Sequence, residues 1–126
     1  QKNSKFKILT ASAGSRPGGK NSKLIILANL PYLSKSVYAS VSQDIKKYEP
    51  RSALLSGKDG LLHYKKLFRQ IKKLLVVGCW LLVFLEISPE QKNMVRKVIK
   101  NNFPAAKTSF LKDLSGRWRL IRISLN

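Results

Sequence analysis

One cysteine, one histidine and six acidic residues are spread over 126 positions, and each scarcity closes a class of chemistry. With Cys79 alone, neither an internal disulfide nor a Cys-x-x-Cys metal site can form. That usage suits a reducing, cytoplasmic setting, with Cys79 as a small buried hydrophobe. His63 is also alone, so neither a zinc site nor a Ser-His-Asp relay can be assembled, and no metal is expected. Long apolar runs are lacking too. The longest, LLVVGCWLLVFL over Leu74–Leu85, has 12 residues and is interrupted by Gly78, against the roughly 20 that a membrane-spanning helix needs. It reads as a helix end, a turn and a buried strand, and no membrane partner is expected. The opening QKNSKFK is basic, but no apolar segment follows it as in a signal peptide.

Basic residues are abundant instead. Twenty-five Lys and Arg against six Asp and Glu leave a formal charge of +19. Such an excess points to an anionic partner, a ribosome or RNA held through the basic surface. The plainer counterpart is a solvated positive face spread around the molecule. Apolar residues make up 44% of the chain, with five Phe, four Tyr and two Trp, enough to fill a core and to argue against disorder. The length is that of one domain over 1–126, with 1–22 a basic strand and loop lead-in.

Local pattern orders the elements. KFKILT (Lys5–Thr10) has strand character, and ASAGSRPGGKNSK after it reads as a loop. LIILA (Leu24–Ala28) is an unbroken apolar run of the kind covered on both faces. Ser36–Tyr48 has room for a short helix, and Tyr48–Gly60 is turn-rich. Leu61, Tyr64, Leu67, Phe68, Ile71, Leu74 and Leu75 then recur at helical spacing, opposite Lys65, Lys66, Arg69, Lys72 and Lys73. Asp59 is the expected N-cap of this helix and Gly78 its stop. WLLVFLEI (Trp80–Ile87) predicts a second buried strand. Ser88-Pro89-Glu90-Gln91 predicts a capped helix start, with Gln91 three residues after the cap. Met94, Val95, Val98 and Ile99 form the stripe of that helix. Lys107–Leu111 and Trp118–Leu125 read as a hairpin around Ser115-Gly116. Strands joined by helical crossovers imply an α/β fold, a parallel sheet sandwiched by helices with an antiparallel hairpin at its end.

In such sheets ligands gather at the carboxyl ends of strands, and Asn29-Leu30-Pro31-Tyr32 stands at one. Asn and Pro are also ordinary turn residues. An [NDS]-[PL]-P-[YFW] tetrad after a buried strand resembles that of class I methyltransferases acting on planar amino or amide nitrogens. YEPRSALLSGKDGLLHYKKL (Tyr48–Leu67), FLEISPEQ (Phe84–Gln91) and KDLSGRWRLI (Lys112–Ile121) are similar, in the same order, to the release-factor glutamine methyltransferase family.

That resemblance implies a partial Rossmann-like class I methyltransferase fold and methyl transfer from S-adenosylmethionine to the glutamine of a release-factor Gly-Gly-Gln segment. The delocalised lone pair of an amide nitrogen makes it a poor nucleophile, so holding its NH2 between two acceptors aims it. The resemblance assigns that catalytic role to the Asn29 side-chain oxygen and the Leu30 carbonyl. Pro31 would fix the turn and Tyr32 would pack on the amide. Leu30 stands where family members often carry Pro, and it preserves the carbonyl. Asn29 would also meet the cofactor, and Glu49 and Pro50 would join Asn29 and Tyr32 in binding substrate. For Glu49, Pro50, Asp59 and Gly60 the architectural reading, turns and caps, stands beside this one. Glu86 is a single strand-end carboxylate, and Arg117 and Arg119 read equally well as solvent-facing strand residues.

The same family would hold its cofactor with a Gly-rich loop after a first strand and an acidic residue after a second. The one glycine cluster, GSRPGG, contains Pro17 and precedes no helix, and no acid occurs before Asp44. The expectation is therefore the carboxyl-terminal half of a catalytic domain, first strands missing, with little activity alone. The edge of Leu24–Ala28 would then lie open, a surface for self-association. An RNA or DNA amino-methyltransferase, favoured by +19 and Asn-Leu-Pro-Tyr, and a non-catalytic basic module that binds RNA or the ribosome remain as alternatives.

Overall fold

A computed structural model describes the backbone of residues 6–11 and residues 22–76 and 78–126. The Gly/Ser/Pro-rich loop expected after the first strand, with its GSRPGG cluster, lies outside these residues.

Two strands open the described chain, β1 (Phe6–Ala11) and β2 (Lys23–Ala28). Three short helices follow, α1 (Lys35–Ser40), α2 (Gln43–Tyr48) and α3 (Arg51–Leu54). The long α4 (Leu62–Val76) leads to β3 (Trp80–Glu86), and α5 (Lys92–Asn102) to the hairpin of β4 (Lys107–Lys112) and β5 (Trp118–Leu125). The sheet order is β1-β2-β3-β5-β4. Only β2 and β3 pair in parallel, with Leu24 opposite Leu81 and Ala28 opposite Leu85. The other three pairings are antiparallel. The fold is thus α/β, with the parallel pair and the terminal antiparallel hairpin as expected and β1 as a further antiparallel strand.

Register collects every second strand residue on one side. Leu24, Ile26 and Ala28 of β2, Leu81, Val83 and Leu85 of β3, and Ile121, Ile123 and Leu125 of β5 form one buried layer. Tyr64, Leu67, Phe68 and Ile71 of α4 pack in the same cluster as Val95 and Ile99 of α5, and Phe68 meets Phe103 edge to face at 5.5 Å. The expected sandwich is therefore corrected: both helices cover one face. The physical reason is handedness. The crossovers β2-α4-β3 and β3-α5-β4 advance in the same direction along the sheet, and right-handed connections then deposit their helices on the same side. On the other side Ile25, Leu82 and Phe84 are half-buried and Leu27 is exposed, so β2 is not covered on both faces as its composition suggested. A second correction concerns the β2 edge, expected to be open for self-association. β1 occupies it, antiparallel, from Phe6 opposite Ala28 to Ala11 opposite Lys23.

The boundaries have local causes. α4 stops where Gly78 adopts φ 78 and its N–H bonds the Leu75 carbonyl at 2.9 Å. Ser36–Tyr48 is broken into two helices, the first capped by the Ser34 hydroxyl on the Val37 N–H at 3.2 Å. The hairpin turns at Gly116, φ 77, under Asp113. One Asp113 carboxylate oxygen accepts from Ser115 N–H at 2.9 Å and Arg117 N–H at 3.0 Å, and the other accepts from Arg119 at 3.3 Å.

Truncating Phe68 to Ala removes a ring at the centre of the helix layer and is expected to cost about 3–5 kcal/mol, read by urea unfolding. The Leu27→Ser change on the open face is expected to stay within roughly 1 kcal/mol. The backbone N–H of Arg117 leads the interactions that hold the Asp113 carboxyl below its ordinary range. Stability from this turn is therefore present above the unfolded carboxylate value and is lost as pH falls through the depressed folded one. In Asp113→Ala, acid titration of the hairpin followed by NMR is expected to lose this acid-range step.

Candidate functional site

β2 and β3 run in parallel and end together, so Asn29-Leu30-Pro31-Tyr32 leaves the sheet beside the segment Glu86–Gln91. Burial within the tetrad is divided. Leu30 and Pro31 are buried and Tyr32 is half-buried, while Asn29 is exposed. The apolar pair anchors the turn in the core and leaves the amide of Asn29 free to face a ligand. Beyond Tyr32 the chain is tied back by two backbone bonds, Leu33 N–H to the Leu54 carbonyl at 2.9 Å and Ser56 N–H to the Leu33 carbonyl at 2.8 Å.

The brace behind the turn is Gln91, which is 5% exposed. Its Nε2 donates to the Tyr32 carbonyl at 2.7 Å and to the Gly60 carbonyl at 3.3 Å. Both partners are acceptors, which fixes the orientation of the amide. Its Oε1 is buried without a partner, an arrangement that costs about 1–3 kcal/mol. A polar side chain kept in the interior under that penalty serves geometry: it joins segments 59 and 31 residues away from it in sequence. The capping role expected for Gln91 is thus corrected. Pro89–Gln91 forms a 3-10 turn ahead of α5 in which Ser88 makes no side-chain cap bond. The Ser88 hydroxyl donates instead to Glu90, and that bond is the main cause holding the Glu90 carboxyl below its ordinary range, with Arg117 and Arg119 adding to it.

Gly60 belongs to the same knot. It sits at φ 77, and a Cβ there would collide with the Tyr32 carbonyl oxygen and Gln91 Nε2. Asp59 lies ahead of the helix start instead of on the N-cap itself. Its carboxylate accepts from Leu61 N–H at 3.0 Å and pairs with Lys65 at 2.7 Å. Lys65 and Leu61 hold its carboxyl below the ordinary range. Tyr64 donates its hydroxyl to the Glu86 carbonyl at 2.6 Å and fixes the end of β3. Burial, with smaller contributions from Tyr32 and Glu86, raises its phenol well above the ordinary value. His63 Nδ1 lies 2.9 Å from the buried Ser56 hydroxyl. Burial, then Lys66, lowers its imidazole, a pairing that serves the Ser56 turn.

A groove of about 360 Å³ opens beside Tyr32, lined among others by Ser34, Val37, Asp59, Glu90, Gln91 and Met94. Glu49 and Pro50 are exposed at the junction of α2 and α3, and neither lines this groove. Arg119 is tied to Asp113. Among the described residues no group of three or more His, Cys, Asp and Glu is placed to hold a metal, and no helix is long and apolar enough to cross a membrane.

The knot has a measurable signature. Gln91→Met keeps the volume and removes both donors, leaving the Tyr32 and Gly60 carbonyls unsatisfied. A loss of about 1–3 kcal/mol in chemical unfolding is expected, and Gly60→Ala should cost at least about 1 kcal/mol through its positive φ and the collision. A loss below roughly 0.5 kcal/mol in both variants would show that the turn stands without the knot.

No protein-family model matches the chain. Curated relatives do. A release factor glutamine methyltransferase of Clostridium botulinum is 35% identical over 98 residues, 78% of this chain and 34% of its own length. That of Bacillus subtilis is 36% identical over 97 residues, 77% of this chain and 33% of its own. That of Dictyoglomus turgidum is 33% identical over 99 residues, 79% of this chain and 34% of its own. The chain thus spans about a third of the length of the relatives it matches. Over about a third of their length, and more than three quarters of its own, the chain is thus similar to the release factor glutamine methyltransferases.

Proposed function

We propose that this chain carries the substrate-amide side of an active site that moves a methyl group from S-adenosylmethionine to the side-chain nitrogen of a glutamine, in the Gly-Gly-Gln segment of a peptide chain release factor. The observation that best supports this reading is the braced turn, with Asn29 exposed at its head and Leu30 and Pro31 buried behind it. A catalytic acceptor pair has to be rigid before substrate arrives, because positioning lost at that moment is lost from the rate.

In this reading the Asn29 side-chain oxygen and the Leu30 carbonyl each accept one N–H of the substrate amide. Their pull directs the nitrogen lone pair out of conjugation and toward the methyl group. Pro31 fixes the turn after them, and Tyr32, half-buried at the groove, lies against the amide plane. Glu49 and Pro50 extend the substrate contact from the exposed α2–α3 junction. Two carboxylates that line the groove are already occupied, Asp59 by Lys65 and Leu61 and Glu90 by Ser88. The chain's part in this proposal is therefore the amide clamp, with Asn29 as its one contact to the cofactor.

Titration of the isotope-labelled chain with a short Gly-Gly-Gln peptide tests the clamp by NMR. The Asn29 side-chain amide and the Tyr32 backbone are expected to shift, and a Gly-Gly-Glu peptide should leave them in place. Equal responses to both peptides would overturn the reading. In a polypeptide of the relatives' full length carrying this segment, Asn29→Ala is expected to lower kcat by about 10²–10³-fold.

A further inference from the structure

Away from the tetrad, α5 and the hairpin build a second surface of one charge. Lys92, Arg96 and Lys100 stand at intervals of four residues, so they line one face of the helix over about 12 Å. Beneath them lie two aromatic rings of the hairpin. Lys92 Nζ is 3.3 Å from the Trp118 ring centre and 5.5 Å from that of Phe110. The Arg96 guanidinium is 4.7 Å from Phe110, and Lys112 Nζ is 4.8 Å from Trp118. Both rings are half-buried and pack against the core. Among the described residues no carboxylate pairs with Lys92, Arg96 or Lys112; the acids nearest in sequence are occupied, Glu90 by Ser88 and Asp113 by Arg119. Next to Phe110 the surface deepens into a groove of about 310 Å³ lined by Arg96, Lys100, Phe103 and Pro104 among others.

We propose that the surface of Lys92, Arg96, Lys100, Phe110, Lys112 and Trp118 binds single-stranded RNA. Cations crowded together without counter-charges attract phosphates. Half-buried rings give bases a stacking platform that is indifferent to sequence. Cation–π contact is the resting arrangement: each cation covers a ring until a phosphate draws it away and a base takes its place. An acidic peptide would satisfy the charges and leave the rings and the groove without a role, so the aromatic floor favours nucleic acid. Burial against the rings, then Arg96 and Lys112, hold Lys92 below the ordinary lysine range.

The test is fluorescence anisotropy of a labelled single-stranded oligouridylate with the 126-residue chain at near-physiological salt. The double variant Lys92→Gln, Arg96→Gln is compared with Lys72→Gln, Lys73→Gln, which removes the same charge from the exposed face of α4. A loss of about tenfold or more is expected for the first pair and less than about threefold for the second. The first pair should also flatten the salt dependence by about 1.4, at roughly 0.7 per lost phosphate contact. In a Trp80→Phe background, RNA is expected to quench Trp118. No binding by the unaltered chain, equal losses in the two double variants, or equal competition by a polyglutamate peptide would each overturn the proposal.

Discussion

The amide of Gln91 is the constraint around which the site is arranged. A single side chain, sunk between the ends of two parallel strands, donates to the Tyr32 and Gly60 carbonyls and leaves its own oxygen unpaired. Without those donors the exit of β2 and the turn before α4 would have two unsatisfied carbonyls facing each other. With them, three segments distant in sequence share one anchor. Gly60 is required at that anchor because only hydrogen fits where the Tyr32 carbonyl approaches. The tetrad thus receives its rigidity from residues outside itself.

That rigidity rests on the asymmetry of the sheet. One face carries both long helices and nearly all the core, so the carboxyl ends of β2 and β3 are held from one side by α4, through Tyr64 on the Glu86 carbonyl. The chemistry of the surface is divided in the same spirit. Of six acidic residues, two, Asp59 and Glu90, line the groove at Tyr32. The cations of α5 crowd instead over the rings of the hairpin, apart from that groove. A net charge of +19 is therefore not uniform in meaning: near the tetrad it is locally offset, and along α5 it is not.

Much of this was legible from residue order. The stripe from Leu61 to Leu75, the stop at Gly78, the second strand from Trp80 and the hairpin about Gly116 all stand where periodicity and turn chemistry put them, because each depends on neighbours a few residues away. The tetrad's place at a strand end was legible for the same reason. Expectations that needed distant information went astray. Apolar composition in β2 suggests burial on both faces, although the faces are decided by where crossovers land. The spacing of Ser88 and Gln91 suggests a capping pair, although the Tyr32 carbonyl, 59 residues from Gln91, takes its amide. The contact of Gly60 with that knot was invisible for the same reason, since a glycine in a turn looks alike whether it serves φ or space.

By itself, then, the sequence determined the elements, the family resemblance and the identity of the residues offered at the strand end, since these are written in local pattern and in ordered motifs. Tertiary structure alone decided which of those residues are braced and which stand free, that both helices share one face, and that Lys92, Arg96 and Lys112 converge on Phe110 and Trp118. Those outcomes depend on long-range register and on the handedness of crossovers, and neither is carried by any short stretch of chain.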